Sequence, residues 1–259
     1  MKYCRFQSPD GPKFGLIEND QIVQTATDGL VPDFARGRKI APMAVSSARL
    51  LSPVQPSKII CVGRNYSEHA KELGNEVPTE PLIFLKPPSS MIGPGDTILR
   101  PKSLSQRVDY EGELAIVIGK RCRNLKARED ARPYIVGYTC ANDVTARDLQ
   151  KKDGQWTRGK GFDTFCPVGP VVNDEIDPWA GVRVETSLNG EIKQSESTTA
   201  FIFPVDVVLR FASQVMTLLP GDIILTGTPA GIGPMVAGDR VRVSIEGIGA
   251  LENPVQDGE

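Results

Sequence analysis

The scarcest residue in this chain is histidine: His69 is the single imidazole among 259 residues, which rules out a metal centre built from several histidines. The five cysteines, at 4, 61, 122, 140 and 166, are odd in number, widely spaced and without a CxxC pair, so neither a disulfide framework nor a sulfur-rich zinc site is indicated. No apolar run approaches the roughly 18 to 20 residues of a membrane span, and the start lacks the basic, apolar, small-residue progression of a signal peptide. A reduced, cytoplasmic protein is expected. With 30 Lys and Arg against 32 Asp and Glu, no whole-chain positive field marks the protein for nucleic acid or anionic membrane, and neither is expected as a partner.

Glycine and proline are plentiful. Together they number 46 (25 Gly, 21 Pro), which points away from a helical bundle and toward turns and short strands. Residues 1–52 contain short alternating pieces, KYCRF and KFGLIEND, and end in a Pro- and Ser-containing connector, so they read as a small β-rich N-terminal region. From Lys58 the pattern densifies. KIICVG, PLIFLK, ELAIVIG and YIVGYTCAND read as buried strands, and TARDLQKKDGQW as a short helix weakened by Gly154. VRVETSLNGEIKQSEST places Asn-Gly between alternating segments, a hairpin signal, and PVDVVLRFASQVMTL reads as a helix with Pro in its first turn. The rhythm is not that of a Rossmann or TIM-barrel chain; a mixed, strand-rich α/β fold is expected. GTPAGIGP lacks the phosphate-loop GxxxxGK[ST] arrangement and reads as a turn between strands.

The chemistry-bearing residues sit at the ends of these segments. In VDYEGELAIVIG, Glu111 and Glu113 are two positions apart at a strand entrance and project from one face. If that face also meets Asp143, at the polar end of YIVGYTCAND, the three carboxylates require a cation such as Mg2+ or Mn2+; otherwise they are solvated acids at a strand end. His69 and Glu72, three apart after a predicted strand, share one side of a short helix that Asn65 or Ser67 caps. They form either an acid-oriented general base or a surface pair. Lys160, between glycines, is either a cation that steadies an enolate or carboxylate or a solvent-facing lysine. Arg64, Lys86, Arg147 and Gln150 are candidates for binding an anionic substrate, equally explained by surface ion pairs. Thr226 and Thr228 in LTGTP hold a carboxylate or simply form a turn, and Asp109 adds negative charge beside the Glu pair, points to the face opposite Tyr110, or caps the strand entrance.

Six ordered blocks carry a resemblance: GRNYSEHAKELG, LIFLKPPSSMIGPGD, DYEGELAIVIGKRCRN, GYTCANDVTARDLQ, KGFDTFCPVGP and PGDIILTGTPAGIGP. Together they resemble the fumarylacetoacetate hydrolase family, over residues 58–254. The resemblance implies a mixed β-roll catalytic domain behind a small N-terminal subdomain, commonly a homodimer, with Mg2+ or Mn2+. By it, Glu111, Glu113 and Asp143 look like metal ligands, His69 and Glu72 like the water-activating pair, and Lys160 like the lysine near the substrate. Arg64, Gln150 and Thr228 fall in blocks associated with the substrate pocket. The substrate class implied is a small 2-oxo acid or dicarboxylate. The first expectation is hydrolysis of a C–C bond in a 2,4-dioxo acid of acylpyruvate type, giving pyruvate and a carboxylic acid. Oxaloacetate decarboxylation, isomerisation of 2-hydroxyhepta-2,4-diene-1,7-dioate and non-catalytic sensing of a 2-oxo acid are the alternatives.

Overall fold

A computed structural model describes residues 1–74 and 76–258. Its backbone is a twelve-stranded mixed sheet, a five-stranded sheet and a three-stranded sheet, with few and short helices, as the composition implies. The central strand of the large sheet is Gly112–Ile118, flanked by Ile135–Asn142 on one side and Ile223–Leu225 on the other. It reads as a continuous apolar run because both of its faces are covered. Leu114, Ile116 and Ile118 pack into one core cluster with Val184, Val243 and Ile245 of the five-stranded sheet and with Val208, Leu209 and Ala212 of the helix Val205–Val215. Ala115 and Val117 face a second cluster with Ile59, Cys61, Ile223 and Leu225.

The large sheet continues outward through Ile59–Gly63, parallel to Ile223–Leu225, and ends at Leu82–Lys86. That last strand departs from the expectation of burial: as the final strand of the sheet it leaves Leu82 38% and Leu85 47% exposed, while Lys86 at its end is buried. In the other direction Ile135–Asn142 pairs with Cys166–Asn173, and the N-terminal strand Lys2–Ser8 joins it through Lys2↔Asn173 and Tyr3↔Val172. The first segment of the chain therefore extends the same sheet. The Asn-Gly hairpin forms as expected between Arg183–Leu188 and Glu191–Ser197, with Asn189 and Gly190 both at positive φ.

The helix Ser67–Glu72 forms where expected, but neither candidate cap caps it. Tyr66 occupies the N-cap position without a side-chain bond, and Ser67 is the first helical residue. The buried Asn65 amide instead donates to Phe203 O and Thr226 O and accepts from Phe203 N, tying this segment to the end of the neighbouring strand and to the start of the helix Val205–Val215. Among the described residues no helix is long and apolar enough to cross a membrane.

Candidate active site

Strand register brings the carboxylates together. In the antiparallel pair, Gly112 lies opposite Asn142 and Glu113 opposite Ala141. One step further, Asp143 N–H donates to Glu111 O at 2.8 Å, so Glu111 and Asp143 face each other just beyond the ladder. Alternation then puts Glu111, Glu113 and Asp143 on the face that carries Ala115, Val117 and Ala141. Their ligand oxygens lie within 4.8 Å of one another, and all three residues are buried.

Such a cluster is costly unless cations compensate it. Lys160 Nζ donates to Glu111 Oε2 at 2.8 Å and to Asp143 Oδ2 at 2.5 Å. Lys86 Nζ donates to Asp143 Oδ1 at 2.6 Å, and Arg147 Nη2 pairs with Glu111 Oε1. Burial opposes the charged form of Glu111, but Lys160 and then Arg147 outweigh it and hold this carboxyl well below the usual carboxylate range. Burial likewise opposes the charge of Lys160, and Asp143 and Glu111 more than restore it. Glu113 is treated differently: among the described residues its Oε2 accepts only the Gly227 backbone N–H, at 2.6 Å. Burial, with the charges of Asp143 and Glu111, pushes its carboxyl well above the ordinary range.

A cavity of about 310 Å3 opens over this cluster. His69, Arg64, Gln150, Thr228, Arg147 and Lys160 line it with the three carboxylates, whereas the candidates Glu72, Lys86, Thr226 and Asp109 do not reach the cavity wall. Glu72 stands behind His69, whose Nδ1 lies 3.1 Å from Glu72 Oε2. Glu72 Oε1 in turn accepts the Gly231 N–H at 3.1 Å. Gly231 is required there: φ is +101°, and a Cβ would lie 2.0 Å from Lys193 O. The GIG turn thus holds the partner of the histidine. In the tautomer that carries its hydrogen on Nδ1, that nitrogen donates to Glu72 Oε2 and the Nε2 lone pair is free. His69 is buried, so the reading of it as a surface residue does not apply.

Other expectations change. Lys160 is not solvent-facing but 2% exposed, and the carboxylates it steadies are the protein's own. The Thr226 and Thr228 hydroxyls donate to Leu114 O and Gly112 O, so they fasten the strand; the carboxylate is held by the backbone N–H between them. Asp109 is fully buried and bridges Arg107 and Arg147. Three site-forming residues had no signal in the sequence. Phe84 and Trp156 make an apolar wall with ring centroids 5.0 Å apart, and Gln194 donates to Thr228 Oγ1 at 2.8 Å.

A family model described as fumarylacetoacetate (FAA) hydrolase C-terminal matches residues 58–256. The chain belongs to the fumarylacetoacetate hydrolase family. A second model, Rv2993c-like N-terminal, matches residues 1–53. Among relatives of this hydrolase-family chain, the oxaloacetate tautomerase fahd2, mitochondrial, of Xenopus laevis is 48% identical over 98% of this chain and 90% of its own. The crystal structure of 5-carboxymethyl-2-hydroxymuconate delta-isomerase from Mycobacterium smegmatis is 42% identical and superposes with a TM-score of 0.89 over 100% of both chains. Maleylpyruvate hydrolase from Sphingobium sp. SYK-6, in complex with manganese(II) ion and pyruvate, is 33% identical with a TM-score of 0.81, again over 100% of both chains. The strand-rich mixed α/β architecture is that of the fumarylacetoacetate hydrolase family, and the acidic trio is a candidate site for a divalent cation.

Proposed function

We propose that the chain is a Mg2+- or Mn2+-dependent enzyme that interconverts the keto and enol forms of a small 2-oxo dicarboxylic acid such as oxaloacetate. The observation that carries this reading is the His69–Glu72 pair, with His69 on the wall of the cavity that Glu111, Glu113 and Asp143 also line. The donor set suits such a cation: three carboxylates, all hard oxygen donors, with Glu113 free of any cationic side-chain partner among the described residues. When bound, the ion supplies a Lewis acid that polarises the 2-oxo oxygen.

The chain's own groups do the rest. His69 Nε2 takes a proton from C3, the imidazolium is held against Glu72, and the proton is returned to the oxygen on C2, so atoms and charge balance. Arg64 and Lys151, both on the cavity wall, favour a substrate with a second carboxylate. Gln150 is fixed by Arg147 Nη1 at 2.7 Å. Tautomerisation stands ahead of the expected hydrolysis because a tautomerase relative is 48% identical over 98% of this chain, against 33% for maleylpyruvate hydrolase, and because it needs no group beyond these.

Acylpyruvate hydrolysis is the second reading, favoured by the likeness to maleylpyruvate hydrolase. There His69 would take its proton from water, which adds to the C4 carbonyl. The C3–C4 bond breaks, its electron pair stays on C3, and a proton returned to C3 gives pyruvate beside a carboxylic acid. One experiment separates the readings: metal-free protein supplemented with Mn2+ is given oxaloacetate and a panel of acylpyruvates, and ultraviolet enol absorbance is followed together with released pyruvate, CO2 and acid. Faster keto–enol equilibration without loss of carbon is expected, with His69→Ala slower by about 10²- to 10⁴-fold. Acid plus pyruvate from an acylpyruvate would instead establish hydrolysis, and no effect on either substrate would reject both.

A further inference from the structure

The cations around the acidic trio divide the carboxylate oxygens in an ordered way. Lys86, buried at the end of its strand, takes Asp143 Oδ1 at 2.6 Å and also donates to Val144 O at 3.1 Å. Arg147, itself braced by Asp109 at 2.9 Å, takes Glu111 Oε1. Each of these two ligand candidates is thereby pinned by one oxygen. The other oxygens, Glu111 Oε2 and Asp143 Oδ2, are both taken by a single group, the ammonium of Lys160.

We infer that Lys160 is the internal counter-ion of this cluster, and that a divalent cation competes with its ammonium for Glu111 Oε2 and Asp143 Oδ2. The inference rests on the reading of Glu111, Glu113 and Asp143 as a metal centre. Two positive charges that share the same two oxygens repel, and in a buried site that repulsion is weakly screened. Lysine is suited to yield: its charge sits on a flexible four-carbon stem, whereas the guanidinium of Arg147 is a rigid fork locked between Asp109, Glu111 and Gln150. The Lys160 ammonium also lies 5.1 Å from the centroid of the Phe84 ring on the cavity wall. Metal loading therefore loosens the one cation of the cluster whose side chain lines the substrate cavity without a second anchor, and couples its availability for an anionic substrate to the presence of the ion.

The test is calorimetric titration of Mn2+ alone into the metal-free full chain and three variants. Lys160→Met removes the competitor, Lys160→Gln does so with a donor retained should the first variant fail to fold, and Lys86→Met removes a lysine that contacts Asp143 only through the outer oxygen. The Lys160 variants are expected to bind Mn2+ at least tenfold more tightly than the unmodified chain, and more tightly than Lys86→Met, whose gain comes from charge alone. Lys160 variants that bind no more tightly than the unmodified chain, or no more tightly than Lys86→Met, would overturn the competition while leaving the metal centre standing. Absence of Mn2+ uptake by the unmodified chain and all variants would overturn the metal centre and the inference together.

Discussion

Glu113 is the residue at which the electrostatics of the site are least resolved within the chain itself. Lys86, Lys160 and Arg147 serve its two neighbours, and its own contact is a backbone N–H. Burial and the two nearby negative charges raise its carboxyl, so in the metal-free protein the neutral form persists to higher pH than that of an ordinary carboxyl group. Binding a divalent cation requires the carboxylate, so uptake releases a proton and affinity rises with pH until Glu113 ionises unaided. Titration of Mn2+ into weakly buffered metal-free protein is expected to release protons, and to release more per ion as the starting pH is lowered toward the ordinary carboxylate range. Glu113→Gln is expected to remove that release; persistence of the full release in this variant would assign the proton to another group.

The strand Gly112–Ile118 is the element on which the site is built, and its first residue is where the two larger sheets meet. Gly112 N–H donates to Gln194 Oε1 at 3.0 Å, and Gly112 O accepts from Thr228 Oγ1 at 2.8 Å. A Cβ at this position would stand 1.9 Å from Thr186 Oγ1. Gly112→Ala is therefore expected to destabilise the fold by about 1–3 kcal/mol or more and to weaken metal binding, since Glu111 and Glu113 flank it. Urea denaturation checks this against Gly29→Ala, where the nearest atom would be 3.9 Å away and a change within roughly 0.5 kcal/mol is expected. At this scale the sequence was most legible. The apolar periodicity of ELAIVIG and YIVGYTCAND located both strands, and two-residue alternation located the shared face of Glu111 and Glu113. The partners were harder to see because their contacts are distant in sequence. Lys160 meets Glu111 across 49 residues, and Gln194 meets Thr228 across 34, from a short helix and a hairpin strand whose own patterns carry no mark of the encounter. Asn65 misled for a related reason: its position suits a cap, but a tertiary set of backbone groups claimed its amide.

On the scale of the whole molecule, the site is a junction of sheets. Glu111 and Glu113 flank the start of one strand and Asp143 follows the end of another, so an ion that binds all three carboxylates stabilises the native arrangement over the unfolded chain. At a free concentration one hundred times its Kd, a single ion contributes about 2.7 kcal/mol. For a chain of this size that corresponds to a rise in Tm of roughly 5–10 °C. Differential scanning fluorimetry with and without Mn2+ measures it, and Asp143→Asn is expected to abolish most of the shift; an equal shift in that variant would place the ion elsewhere.

The pairing of Glu113 with Ala141 carries a further consequence for how the chain reaches its native state. If Ile135–Asn142 slipped by one residue against Gly112–Ile118, the face that now receives Asp143 would receive Asn142, and the third carboxylate would point into the opposite core. Misaligned chains would retain the sheet but lose the ion. Stoichiometric cation uptake would then serve as a count of correctly threaded molecules, a quality measure for refolded or heat-treated protein that secondary-structure spectra do not provide.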